Sequence, residues 1–555
     1  MENRIRQAIA EAANIQDIKL VELSYPEEVF GDYATNVALK VANQTGLNPR
    51  QLAEKLSDDL KIKLGDLVDS IEVAGPGFIN IRLNEAALVE ASRERSERPL
   101  EGQVVVAEFS DPNPFKDLHA GHLYTSVVGD AIANLLETAG AKVYRVNYGG
   151  DVGLHAAKAI WSMLQEFGGE NPAKLADINV KKRSEWMAQA YVRGSEAYES
   201  DEIAQRSIQD LNKRIYEVQA EHDTNSALGQ IYWTTRKWSY DSFNDFYASI
   251  KVKFDRFYPE SEAVPLGIAT VRQQLERGVF EKSDGAVVFK GEKFGLHTRV
   301  FINSQGLPTY EGKELGLFQL KKRDYHPDRS IIITGNEQEQ YMAVVLKALE
   351  QFEPELAVST THLSHGLVRL SGGKKMSSRK GIILKATDIL EVATEAAKEV
   401  SDAVDERVVL AAIKYSMLKQ RLGGDIIFEP KESVSVLGNS GPYIQYAHAR
   451  ARSILAKADI NAVSKDVANL NGDERSLLLK LSRFTAVLNQ AVAELSPHLL
   501  CTYLYETTQA FNRFYESNRV IGDPRESIRL SLVLMYADRL REGLKLLGIE
   551  APDHL

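Results

Sequence analysis

One segment limits the possible folds of this chain more than any other. Val104-Val105-Val106 opens an apolar run that continues to about Phe109, as a buried strand does. A proline-rich loop follows. After it comes a helical pattern whose apolar positions are Leu123, Val127, Val128, Ala131, Ile132, Leu135 and Leu136, with Gly140 placed as its stop. Lys142 to Tyr148 then reads as a second strand. Strand, helix and strand in sequence make a βαβ unit, and such a unit commits the chain to a parallel sheet covered by helices.

The other segments arrange themselves around this unit. In the first 85 residues, Asn48 is placed to cap a helix that has Pro49 at its first position and Gln51 able to reach back. Leu52, Leu56 and Leu60 then recur on one face, and the alternating segment Phe78 to Leu83 follows the turn Gly75-Pro76-Gly77. This is a small α/β unit, and the charged run Ala91 to Pro99 reads as a linker behind it. Residues 165 to 250 are helix-rich and highly charged, and read as an insertion into the sheet domain. Strand-like segments return at Ala286–Lys290, Arg299–Asn303 and Ile331–Thr334, and from about Leu437 the pattern is helical throughout. A length of 555 residues agrees with three or four domains.

Composition excludes several classes. The single cysteine, Cys501, rules out a disulfide scaffold, a cysteine-based zinc site and an iron–sulfur cluster. The opening MENRIRQAIAEAANIQDIKL lacks the apolar core of a secretory signal, and no run reaches the roughly 18–20 apolar residues of a membrane span. A cytoplasmic enzyme without membrane partners is the expectation. The net charge of −10 argues against a wholesale basic coat, yet residues 437–555 hold 14 basic and 13 acidic side chains, so the acidic surplus lies elsewhere. That leaves the C-terminal region open to an RNA partner.

Two motifs carry chemistry. His119-Ala120-Gly121-His122 puts imidazoles at i and i+3 on the first turn of a helix, where free N–H groups and the helix dipole favour phosphate. By itself the pair fits equally a capped helix start with surface histidines, or half of a metal site. Much later, Gly373-Lys374-Lys375-Met376-Ser377-Ser378-Arg379-Lys380-Gly381 is a cationic, hydroxyl-bearing loop suited to a triphosphate and its leaving pyrophosphate. Alone it reads as a solvated turn. In this order the two motifs resemble the HIGH and KMSKS signatures of class I aminoacyl-tRNA synthetases.

Further segments narrow the resemblance to the arginyl-tRNA synthetase family: Glu108-Phe109-Ser110 with Pro112-Asn113, Asn147 to Gly153, Pro308-Thr309-Tyr310, Gly335 to Gln338 and Gly441 to Arg450. Gly31 to Asn36 and Gly75 to Asn80 are similar to its extra N-terminal domain. The resemblance implies an N-terminal tRNA-elbow-binding domain at 1–90 and a Rossmann-like catalytic domain at 100–370 with the helical insertion at about 165–250. It further implies a KMSKS-loop and stem-contact region at 371–436 and an all-α anticodon-binding bundle at 437–555.

The implied substrates are L-arginine, ATP with accompanying Mg2+, and tRNA(Arg), with no structural metal, and a monomer is expected. Glu108, Ser110, Asn113, His122, Tyr310, Glu314 and Gln338 would bind arginine. His119, Gly121, His122, Lys375, Met376, Ser377, Ser378 and Arg379 would bind ATP. His119, His122, Lys116 and Lys375 would act in catalysis, and Asn80, Arg82, Tyr443, Gln445, Tyr446 and Arg450 would meet tRNA. Two departures stand out: Ser378 replaces the second lysine of KMSKS, with Lys116 as a stand-in, and Glu314 stands where the family often has Asp. For Lys116 the plain alternative is a solvated lysine beside Asp117. Tyr443 and Tyr446 read as core or groove residues of a bundle, and Phe511, Phe514 and Tyr515 as core. The competing functions are a smaller HIGH-type nucleotidyltransferase and a non-catalytic RNA-binding relative. Size argues against the first, and the retained His119, His122 and Lys375 against the second.

Overall fold

A computed structural model describes residues 1–371, 384–401, 403–459, 463–464 and 467–555. The chain forms two compact units, one from residues 1–97 with 436–555 and the other from 98–435.

In the second unit, five strands form a wholly parallel sheet in the spatial order Thr360–His365, Arg329–Gly335, Val104–Glu108, Lys142–Gly149 and Arg256–Pro259. The βαβ reading is therefore correct, and Val104–Glu108 lies at the centre. Val105, Val106 and Ala107 are buried, as a strand covered on both faces requires. The helix Ala120–Thr138 connects the first two strands and buries Leu123, Val127, Val128, Ile132, Leu135 and Leu136. The sequence leads into the C-terminal ends of the strands with loops, which is where parallel sheets place ligands.

The segments at Ala286–Phe289 and Arg299–Ile302 do not join this sheet. With Glu281–Ser283 they make a separate three-stranded antiparallel sheet. The insertion consists of Arg183–Ser200, Glu202–Ala220 and Ala227–Ser249. Its buried Met187, Ile208, Leu211, Ile215, Tyr232 and Trp238 pack with Ile160 and Met163 of the helix Leu154–Phe167.

In the first unit, Tyr33–Thr35, Phe78–Leu83 and Val68–Ala74 form an antiparallel sheet beside the helix Pro49–Leu64. Asn48 does cap that helix, accepting the Arg50 N–H at 2.9 Å. The helix Glu85–Arg93 continues into the run taken as a linker, because Ala91 and Ser92 are buried. Among the described residues, five longer helices follow from Gly441–Lys457 to Glu526–Leu546. Phe511 stacks on Tyr536 at 3.9 Å in their core. The two chain segments of this unit are joined by a buried fork. Arg475 donates to both oxygens of the fully buried Asp32 at 3.0 and 2.8 Å, and to the Leu83 carbonyl at 2.9 Å.

Candidate active site

The loop between Glu108 and His119 is held in an unusual backbone shape. Ser110 and Asp111 are consecutive non-glycine residues with φ of 77° and 51°, and Phe115 has φ of 70°. Such conformations cost of order 1–3 kcal/mol each and persist only where surroundings enforce them. Here the neighbouring loop does so. The Tyr148 N–H donates to Asp111 Oδ1 and the Gly150 N–H to Asn113 Oδ1, each at 2.8 Å. A Cβ at Gly149 would lie 2.6 Å from the Pro112 carbonyl oxygen, a backbone atom, so the two loops approach this closely only with glycine there. The Ser110 hydroxyl pairs with Tyr247 at 2.8 Å, which ties it to the insertion helix instead of the open space.

At the helix start the histidines serve first as caps. The His119 N–H donates to His122 Nδ1 at 3.0 Å, and the Gly121 N–H donates to His119 Nδ1 at 3.1 Å. Their rings stack 3.7 Å apart, and a Cβ at Gly121 would sit 2.9 Å from the His119 ring. Burial lowers the pKa of His119, and burial followed by the His119 neighbour holds His122 well below the ordinary value. Because each Nδ1 accepts a hydrogen bond, the neutral rings carry their proton on Nε2. The capped-helix and phosphate-binding readings are thus compatible: one ring nitrogen caps and the other is a neutral donor.

These residues line a cavity of about 420 Å³ together with Ser110, Asp111, Asn113, Glu337, Gln338 and His365. Behind it lies an acidic cluster. Glu108, the last residue of the central strand, pairs with Lys321 Nζ at 2.6 Å, both side chains almost wholly buried. Glu314 is 4% exposed; one oxygen lies 3.3 Å from the Tyr341 hydroxyl and the other, Oε1, has no partner among the described residues. Burial and then Glu108 push Glu314 up to about 8, against the opposing pull of Lys321, and raise Asp111 well above its ordinary range. Tyr310 is one turn before Glu314 and 62% exposed. Lys313 pairs with buried Glu260 at 2.7 Å and lies 5.3 Å from the Tyr310 ring.

Lys116 Nζ sits 4.8 Å from the Tyr191 ring centroid, so it contacts the insertion and is not a freely solvated charge. Lys375, Met376, Ser377, Ser378 and Arg379 lie outside the described residues. Asp111, Lys321 and Tyr341 escaped the sequence reading. Asp111 stands between recognised residues, whereas Lys321 heads a charged run that looks solvated.

Elsewhere, the residues expected to meet RNA differ in exposure. Gln445 is fully buried and donates to the Glu550 carbonyl at 2.7 Å, and Asn80 is buried in mid-sheet. Arg82 donates to the Glu28 carbonyl at 2.6 Å. Tyr443 is half-buried and accepts from Asn512 at 2.8 Å. Tyr446 is exposed, and Tyr515, expected in the core, is 38% exposed. The Arg450 guanidinium lies 5.0 Å from the Tyr446 ring and 5.6 Å from the Tyr515 ring. These three, with Lys457 and Arg519, line a cavity of about 640 Å³.

Comparison with known proteins accords with this geometry. Residues 84–429 match the model for "tRNA synthetases class I (R), catalytic domain", residues 444–555 the DALR anticodon binding domain, and residues 1–83 the arginyl tRNA synthetase N-terminal domain. An arginine–tRNA ligase of Phocaeicola vulgatus is 28% identical, with 97% of each chain covered. One from Actinobacillus succinogenes is 29% identical, covering 100% of this chain and 99% of its own. The Thermus thermophilus arginyl-tRNA synthetase structure superimposes with a TM-score of 0.81 at 27% identity, covering 99% of both chains.

Proposed function

This chain belongs to the class I arginyl-tRNA synthetases, and we propose how its own residues divide that family's work. The reaction has two steps. The arginine carboxylate attacks the α-phosphorus of ATP, giving arginyl-adenylate and pyrophosphate. The 2′-hydroxyl of the terminal adenosine of tRNA(Arg) then attacks the activated carbonyl and releases AMP.

The observation that carries the assignment is the acid cluster behind a cavity whose other wall is a helix N-terminus bearing two neutral imidazoles. Glu108 and Glu314 supply the negative field for a guanidinium, with Tyr310 as the wall at the mouth and Asn113, Ser110 and Gln338 around the amino-acid head. Asp111, which lines the cavity, receives the α-ammonium. His119 and His122 donate Nε2–H to phosphate oxygens as charge develops there, and Gly121 allows the close ring packing that orients them. Lys116, Lys375, Met376, Ser377, Ser378 and Arg379 complete the triphosphate site. No covalent enzyme intermediate is needed, because positioning and charge stabilisation suffice.

Mg2+ accompanies ATP in this proposal, held by phosphates and water and not by a protein cage; Asp111 and Glu337 are the carboxylates that line the cavity. Arg82, Tyr443, Tyr446 and Arg450 are proposed for tRNA, the last two through stacking and cation–π contact with an anticodon base. The domain division at 1–90, 100–370, 371–436 and 437–555, a monomeric state and a cytoplasmic location belong to the same proposal. No helix among the described residues is long and apolar enough to cross a membrane. Charging unfractionated tRNA with each of the twenty amino acids tests the whole reading. Arginine alone should be attached, and attachment of any other amino acid, or of none, overturns it.

A further inference from the structure

We propose that Lys321 sets the specificity of the arginine pocket: by occupying Glu108 in a buried ion pair it leaves Glu314 as the carboxylate that reads the guanidinium. The inference rests on the functional reading above and assigns unequal roles to two acids that the sequence makes look equivalent.

Tyr310, Glu314 and Lys321 lie four and seven residues apart on the helix Tyr310–Tyr325, and therefore on one face of it. Along that face exposure falls from 62% at Tyr310 to 4% at Glu314 and 1% for the Lys321 side chain. Along this face Glu314 is therefore nearer the exposed end than Lys321. Glu108 Oε2 is already held at 2.6 Å by Lys321 Nζ, whereas Glu314 Oε1 has no partner among the described residues. Buried carboxylate oxygens without partners are costly, and a site that keeps one is prepared for a donor it does not itself contain. A second cation brought against Glu108 would face the Lys321 ammonium in a desolvated space, where like charges repel strongly.

The charge count agrees. Glu108, Asp111 and Glu314 supply three acids, and among the described residues Lys321 is the ammonium that pairs directly with one of them. The two acids left over match the guanidinium and the α-ammonium of arginine. Lys321 acts through Glu108 and touches no substrate, so it is a positioning residue.

The test is a variant cycle on the full chain in arginine-dependent tRNA charging, with KM for arginine and for ATP measured separately. Glu314→Gln should raise the arginine KM by roughly 30- to 4000-fold and leave the ATP KM near the parental value. Adding Lys321→Met should free Glu108 to take the guanidinium and so recover about tenfold or more of that loss. A parental arginine KM in Glu314→Gln, or no recovery on adding Lys321→Met, overturns the proposal. Should the Lys321→Met background fail to fold, Glu108→Gln with Lys321→Met removes the pair without leaving a buried charge. That double variant should raise the arginine KM less than Glu314→Gln does, and a rise as large or larger overturns the proposal. A parental protein that charges no tRNA with arginine would instead refute the functional reading itself.

Discussion

Glycine at position 129 is in the middle of a helix, where alanine ordinarily stabilises by about 1 kcal/mol. The structure reverses that expectation. A Cβ at Gly129 would lie 2.2 Å from Phe109 Cγ and 2.5–2.6 Å from both Cδ atoms. Ordinary carbon contacts are about 3.5–4.0 Å, so the ring has to retreat by roughly 1.3–1.8 Å. Phe109 is fully buried and packs on Phe254 at 4.7 Å, which leaves it little room. Overpacking of this kind costs about 1–3 kcal/mol. With the upper end expected here, overpacking outweighs the helix gain, and Gly129→Ala should lower the melting temperature by roughly 2–6 °C. The larger effect should be on catalysis. Phe109 lies between Glu108 and the left-handed pair Ser110 and Asp111, so a shift of about 1 Å there moves both ends of the arginine site. A loss of about 10²-fold in kcat/KM for arginine is expected. Arginine-dependent ATP–pyrophosphate exchange with tRNA present, alongside thermal unfolding, measures both effects. A variant that melts higher and exchanges at the parental rate would show that the ring yields freely, and the reasoning would fail.

Two further outcomes are expected. Glu314 is held near 8 by burial and Glu108, with Lys321, Tyr341 and Glu260 as its other charged or titratable neighbours, and a guanidinium needs its ionised form. Arginine KM should therefore rise about tenfold for each pH unit below 8 while ATP KM stays level, and the arginine-induced gain in melting temperature should grow from about pH 6 to about pH 8. A flat arginine profile between those limits would separate Glu314 from recognition. Lys116→Ala should slow pyrophosphate release by roughly 10²- to 10³-fold with little change in arginine affinity, and adding Ser378→Lys should restore part of the rate. Release at the parental rate would leave Lys116 as a partner of Tyr191 alone.

The parallel sheet was legible because Val104 to Phe109 is apolar enough to be buried on both faces, and a helix-length segment leads from it to a second strand, Lys142 to Tyr148. Ala286–Phe289 and Arg299–Ile302 were equally readable as strands, yet their partners were not, since strand pairing is a non-local choice that their short alternation does not encode. Phe511 and Phe514 are core, as their spacing indicates, while Tyr515 follows them by one position and so turns outward toward Arg450. The histidine pair was visible as a motif, but its neutral tautomer depends on hydrogen bonds that only the folded loop provides. Lys321 was hidden for a different reason. In the run Lys321-Lys322-Arg323-Asp324 all four residues look solvated, and only the helix phase set by Leu317 and Leu320 turns the first of them inward.

The Asp32–Arg475 fork has a temporal side. Its partners are 443 residues apart, and at about 5–20 residues per second a ribosome needs roughly 20–90 s to travel from one to the other. Throughout that interval the carboxylate destined for burial, and the Leu83 carbonyl bound beside it, must do without the Arg475 donors. The sheet around Asp32 is synthesised long before Arg475, so this ion pair closes only after the intervening chain has been made.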